Sequence, residues 1–207
     1  MTFKFAALLA VVCFFNSDIW GQSIIRLKNP SFEADEPQSG KEPSFWINLG
    51  DEKASPPDVQ PGFFGVAMVA QDGKTYLGLV VREDTTWEGV GQKLEGVLRK
   101  DSAYKFSLWM TRSNTFKSAL KNGIELANFS APTVLKIWGY NTQTNQQELL
   151  AESQPVGHSK WTRYEFILKP SLADLDELDL MAYYAPGYEK KNGNLLIDNC
   201  SDIVKIY

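Results

Sequence analysis

Apolar and polar residues alternate with a period of two along most of the chain beyond residue 22, and no stretch carries the spacing of a long amphipathic helix. With turn residues between the runs, this pattern predicts strands near 23–28, 44–48, 64–70, 75–81, 89–95, 103–110, 133–140, 146–151, 160–168, 177–184, 194–198 and 201–206. Residues 171–176 suggest one helical turn. Two stretches read as long loops. Residues 34–62 hold Pro37, Pro43, Pro56, Pro57 and Pro61, which supply no ladder donors and so skirt the sheets. Residues 111–132 end at Pro132. Loops of this length either bind something or cover a sheet edge.

Alternation also sorts residues by face. Tyr104, Phe106, Leu108 and Met110 share one side, as do Leu135, Ile137 and Gly139, and Leu178, Leu180 and Ala182. These sides predict the core. The opposite sides mix charge with large rings: Trp109, Trp138, Tyr140, Arg163, Glu165 and Tyr183. Sugars present apolar C–H faces and many hydroxyls, so an aromatic platform ringed by hydrogen-bonding groups suits them. These six are the candidate ligand residues. The alternative is that the rings lie beneath the two long loops as a second, minor core.

At 207 residues, with 43% hydrophobic and 13% aromatic content, the chain fits one all-β domain with a sizeable core. A net charge of −4 with no Lys/Arg cluster argues against a nucleic-acid partner. Lys4 followed by the apolar run from Phe5 to Phe15 has the layout of a secretory leader over residues 1–21, leaving a single domain over 22–207. The run is short for a membrane span, although an uncleaved anchor is the alternative. Cys13 falls inside the leader, so the mature chain keeps Cys200 alone and forms no internal disulfide. His158, the single histidine, sits in a loop signal and gives Cys200 no local catalytic partner. P-loop, dinucleotide, nucleophile-elbow and HExxH motifs are absent from the sequence. Glu165 and Asp179 could share the polar face as a hydrolase pair, but Arg163 beside Glu165 favours a surface ion pair.

Two motifs bracket the predicted domain: Asn29-Pro30-Ser31-Phe32-Glu33 and Leu195-Leu196-Ile197-Asp198-Asn199. Between them lie Phe45-Trp46, Asp72-Gly73-Lys74-Thr75-Tyr76-Leu77-Gly78-Leu79, Trp87-Glu88-Gly89-Val90-Gly91-Gln92, Tyr104-Lys105-Phe106-Ser107-Leu108 and Trp161-Thr162-Arg163-Tyr164-Glu165-Phe166. In this order they resemble the galactose-binding-like jelly rolls, including carbohydrate-binding modules of the family 4, 16 and 22 type. The likeness extends to the N-terminal sandwich of Bacteroidetes surface and OmpA-family proteins. It implies an all-β jelly-roll sandwich of two antiparallel sheets whose first and last strands meet. It implies a non-catalytic module, secreted to the periplasm or cell surface, that binds a glycan. The alternative it leaves open is an interaction subunit with a surface protein as partner. It also implies a structural calcium held by Glu33 and Asp198 side chains, with carbonyls near Lys28 and from Asp72 or Lys74. Calcium takes six to eight oxygens at about 2.3–2.6 Å, and one His with one mature Cys argues against zinc. Otherwise Glu33 caps backbone amides and Asp198 pairs with a lysine.

Overall fold

The computed structural model describes residues 23–51, 55–120, 123 and 125–206, so the expected leader over 1–21 lies outside the described residues. In chain order the strands are β1 (Ile24–Ile25), β2 (Ile47–Asn48), β3 (Asp58–Gln60), β4 (Tyr76–Val81), β5 (Gly89–Leu98), β6 (Tyr104–Thr111) and β7 (Lys117–Ala119). They continue with β8 (Leu126–Asn128), β9 (Thr133–Asn141), β10 (Gln146–Glu152), β11 (Thr162–Leu168), β12 (Leu175–Tyr184), β13 (Gly193–Asp198) and β14 (Ile203–Lys205). Among the described residues no helix is long and apolar enough to cross a membrane.

Two antiparallel sheets pack face to face, as the alternation requires. The first sheet is built on β6. Strand β11 runs along one edge of β6, and the other edge is shared: β13 pairs with its end and β14 with its start. β4 and then β3 extend the sheet beyond β13, while β1 pairs with β14. The Ile24–Val204 and Ile25–Ile203 pairs bring the two ends of the described chain together. The second sheet has the order β10-β9-β12-β5-β2, and β7 with β8 forms a separate hairpin.

The residues expected inside are inside. Phe106, Leu108, Met110, Leu135, Ile137, Leu178, Leu180 and Ala182 are all fully buried in one cluster between the sheets. Burying such side chains is worth about 1.5–3 kcal/mol each before entropy is counted. Strands β4 and β13 are buried on both faces; β4 is a continuous run without polar side chains other than the Tyr76 hydroxyl, and β13 has the apolar centre Leu195-Leu196-Ile197 between buried Asn194 and Asp198. Leu77, Leu79, Leu195 and Ile197 face inward. Tyr76, Val80 and Leu196 face outward into a second cluster with Val66, Phe116 and Phe129. Phe64 stacks on Phe116 at 4.9 Å, and the Tyr76 hydroxyl donates to the Met68 carbonyl at 2.8 Å.

Three expectations fail locally. Residues 64–70 form no strand; left-handed backbone at Phe64 and Gly65 turns this segment into cover over the first sheet. The proline-rich stretch contains β3, a three-residue strand between Pro57 and Pro61 that pairs with β4 and meets only a single bridge, Val59 to Gln38, on its other side. Prolines on either side are compatible with an edge position. The turn expected at 171–176 is a bend that enters β12 at Leu175, whose side chain is fully buried.

Candidate functional site

The six candidate ligand residues divide between the two sheets. Trp109 lies on β6, and Arg163 and Glu165 lie on β11, all on the outer side of the first sheet. Trp138 and Tyr140 lie on β9 and Tyr183 on β12, on the outer side of the second sheet. The outer sides of a sandwich point opposite ways, so no one ligand site unites the six. Alternation tells inside from outside, but a sandwich has two outsides.

On the first sheet the polar residues satisfy one another. Arg163 Nη1 meets Glu165 Oε1 at 2.9 Å, Lys105 Nζ meets Glu165 Oε2 at 3.3 Å, and Arg163 Nη2 donates to Ser107 Oγ at 3.0 Å. Exposed pairs of this kind contribute about 0–1 kcal/mol and bind nothing further. Glu165 and Asp179 lie on opposite outer faces, so they do not flank a shared glycosidic bond.

The second sheet's outer face differs. Trp87 stacks on Tyr183 at 5.3 Å, and Lys136 Nζ sits 4.3 Å from the Tyr183 ring centroid. Lys136 also pairs with Glu152 at 3.6 Å. The Tyr140 hydroxyl donates to Asn145 Oδ1 at 2.5 Å. In the centre, Asp179 stands directly across from Trp138 on one side and Gly91 on the other. A Cβ at Gly91 would come within 2.8 Å of Asp179 Oδ1, so the glycine makes room for the carboxyl to lie down on the sheet. Asp179 is only 3% exposed. Gln147 Nε2 donates to its Oδ2 over a long 3.4 Å. Burial, with the charge of nearby Glu177 adding to it, pushes the Asp179 carboxyl up to about 7. Two buried polar atoms here, Trp138 Nε1 and Asp179 Oδ1, have no hydrogen-bond partner among the described residues. Such orphans are rare in folded proteins; the others among the described residues, Gln60 Nε2 and Arg82 Nη1, lie apart from this face. Trp87, Gln147 and Glu177 were not among the expected site residues. The rings and amide in Trp87 and Gln147 carry the right chemistry, but only the strand order shows that they share this face.

The residues implied as calcium ligands gather, with one exception, around the turn at 71–75. Glu33 Oε1 accepts from the Lys74 and Thr75 amides at 3.0 and 3.3 Å, and Gly73 leaves no room for a Cβ against that carboxylate. Asp198 Oδ2 accepts from the Gln71 and Asp72 amides at 2.8 and 2.9 Å, and its Oδ1 from the Asn199 amide at 2.7 Å. Asp72 Oδ2 accepts from Ser31 Oγ at 2.7 Å. Both Glu33 and Asp198 therefore cap backbone amides. Asp198 is fully buried, and burial raises its carboxyl to about 7, with the Asp72 charge adding to the rise and the backbone donors opposing it. Lys28 is the exception. Its amide donates to Gln92 Oε1 and its carbonyl accepts from Gln92 Nε2, which ties it to β5 instead. Among the described residues, no three His, Cys, Asp or Glu side chains are grouped as metal ligands.

Cys200 is buried beside this corner, and its thiol is pushed well up by that burial. His158 engages Lys160 O and the Tyr164 hydroxyl through its two ring nitrogens. No thiol–imidazole pair is formed.

No protein-family model matches the chain, and no curated protein matches it significantly in sequence. Solved structures do. A cyclase from Fischerella sp. TAU superimposes with a TM-score of 0.56 at 15% identity, covering 90% of this chain and 98% of that one. The CBM22-1 xylan-binding domain of Paenibacillus barcinonensis Xyn10C gives 0.50 at 19% identity, over 85% of this chain and 91% of that one. The CBM22-1-GH10 modules of Clostridium thermocellum Xyn10B, complexed with xylohexaose, give 0.50 at 13% identity, over 90% of this chain and 28% of that one. The fold is that of the carbohydrate-binding jelly rolls. The expectation of a non-enzyme is overturned: nearly the whole of the same sandwich is found as a cyclase, so this architecture carries catalysis as well as sugar binding.

Proposed function

We propose that the chain binds a carbohydrate on the outer face of the β10-β9-β12-β5-β2 sheet. The observation that carries this is the pairing of a buried orphan donor, Trp138 Nε1, with a buried orphan acceptor, Asp179 Oδ1, on directly opposed residues. A sugar hydroxyl both donates and accepts, so neighbouring hydroxyls complement such a pair. Tyr183, Trp87 and Tyr140 supply ring surface for the C–H faces, and Gln147, Glu177 and Lys136 supply further polar groups around it. The xylan-binding and xylohexaose-complexed modules of the same fold lend support. The leader-like run after Lys4 supports a site of action outside the cytoplasm, in the periplasm or at the cell surface.

The test is retention on a panel of insoluble polysaccharides. Native protein is expected to be held by at least one of them. Trp138→Ala is expected to weaken that retention about tenfold or more, and Trp109→Ala to leave it unchanged. Loss in Trp109→Ala with none in Trp138→Ala would place binding on the other sheet, and no retention by native protein would end the reading.

For the turn at 71–75 we propose a structural calcium with the Glu33 and Asp198 side chains as its carboxylates and a backbone carbonyl of Asp72 or Lys74 beside them. Oxygen-only donors suit a hard cation, and positive charge beside Asp198 would relieve the burial that raises its carboxyl. Its role is to fasten the chain ends, with no part in chemistry. Calcium is expected to raise the melting temperature of chelator-treated protein by several degrees, and equal melting with and without the ion speaks against it.

A further inference from the structure

A concavity of about 950 Å³ lies between the loop at 38–46 and the turn at 73–74, and none of its lining residues belongs to the group around Trp138 and Asp179. That volume lies within the range of small-ligand sites, about 300–1,000 Å³. Its rim carries Phe45, whose ring is 66% exposed. The backbone of Phe45 is left-handed, with φ of 72°, a conformation that bulky residues avoid. The segment is pinned on both sides. The Trp46 ring packs at a tilt against Phe32, 5.0 Å between centroids, in the core, Trp46 Nε1 donates to the Asn29 carbonyl at 3.0 Å, and Gln92 Nε2 donates to the Phe45 carbonyl at 3.2 Å. Glycine would relieve the backbone here, and an exposed ring gains the core nothing. A large apolar side chain at a strained, solvent-facing position is placed for contact with something outside the fold.

The walls are polar. Asp35, Lys41, Glu42 and Lys74 line the cleft, and none of them makes an ion pair among the described residues. Free carboxylates accept from hydroxyls and free ammonium groups donate to them; Glu33, the third acid of the lining, is taken up by the Lys74 and Thr75 amides. Lys28 Nζ, 5.9 Å from the Phe45 ring centroid, is taken up by Glu95 at 2.8 Å. We propose that this cleft is a second binding site for an uncharged saccharide, with a sugar ring packed on Phe45 and its hydroxyls held by the four free charged side chains. The site is separate from the tryptophan-bearing sheet face and does not depend on it.

Amide and indole NMR shifts of the whole protein, titrated with soluble hexasaccharides of xylose, glucose, mannose and N-acetylglucosamine, test both sites in one spectrum. At least one saccharide is expected to shift the Phe45, Gly73 and Lys74 amides saturably, in native protein and equally in Trp138→Ala. Phe45→Ala is expected to weaken that titration about tenfold while the Trp138 indole keeps its own response. Phe45→Gly is the control for folding: it should melt no lower than native protein and lose the cleft titration as well. Cleft amides that stay still with every saccharide, or a cleft titration unchanged in Phe45→Ala, overturn the proposal. A silent Trp138 indole with responsive cleft amides counts against the sheet-face reading alone.

Discussion

The two outer faces of the sandwich began with similar raw material and were finished differently. Each carries a tryptophan in the middle of a long strand, Trp109 on β6 and Trp138 on β9. Over the first sheet, residues 63–70 and the β7–β8 hairpin lay down Phe64, Val66, Phe116 and Phe129 as a second apolar layer, and the remaining charges pair among themselves. The second sheet receives no such layer. Its rings stay half-buried at the surface, Asp179 is buried among them, and two of its buried polar atoms have no partner among the described residues. One face is padded by a second apolar layer; the other is the face proposed to bind sugar.

Removing the padding should be the most damaging change. Phe116→Ala or Phe129→Ala is expected to cost about 3–5 kcal/mol in denaturant unfolding, because each ring is fully buried. A loss below about 1 kcal/mol would mean the hairpin is an accessory rather than a second core. The next effect is expected at Asp179. Its carboxyl, raised by burial, keeps its proton in the folded state to about pH 7, whereas the unfolded chain releases it near 4. The folded state binds more protons between those values, so this group makes stability fall as pH climbs from about 4 to about 7. Asp179→Asn should flatten that part of the stability–pH curve and stabilise the protein at neutral pH by on the order of 1–3 kcal/mol, while weakening sugar retention. A variant that loses stability at pH 7 would show Asp179 to be a structural group. The smallest effect belongs to the first sheet's ion pairs: Arg163→Ala should change stability by less than about 1 kcal/mol and leave retention intact.

Much of the architecture was legible because period-two patterning is a direct imprint of the pleat. Phe106, Leu108, Leu135, Ile137, Leu178 and Leu180 declared their face, and the unbroken run Tyr76-Leu77-Gly78-Leu79-Val80-Val81 reflected a strand enclosed on both sides. The partition of the site was not legible. Trp109 and Trp138 have the same local context, and only pairing between residues far apart in sequence assigns them to different sheets. The second apolar layer was hidden for a related reason. Phe116 and Phe129 sit in stretches without strand periodicity, and nothing local says what they cover. Asp179 appeared as one more outward-facing acid in an alternating strand; its burial depends on the missing side chain of Gly91, with six strands between the two in the chain.

The shared edge of β6 has a bearing on how the domain would be mounted. Because β13 and β14 lie end to end along that strand, and β1 docks on β14, the first and last described strands pair with each other in the first sheet. Anything that pulls on both ends of this region therefore loads the antiparallel β1–β14 pair within one sheet, and the sheet that carries Trp138 is left out of the line of force.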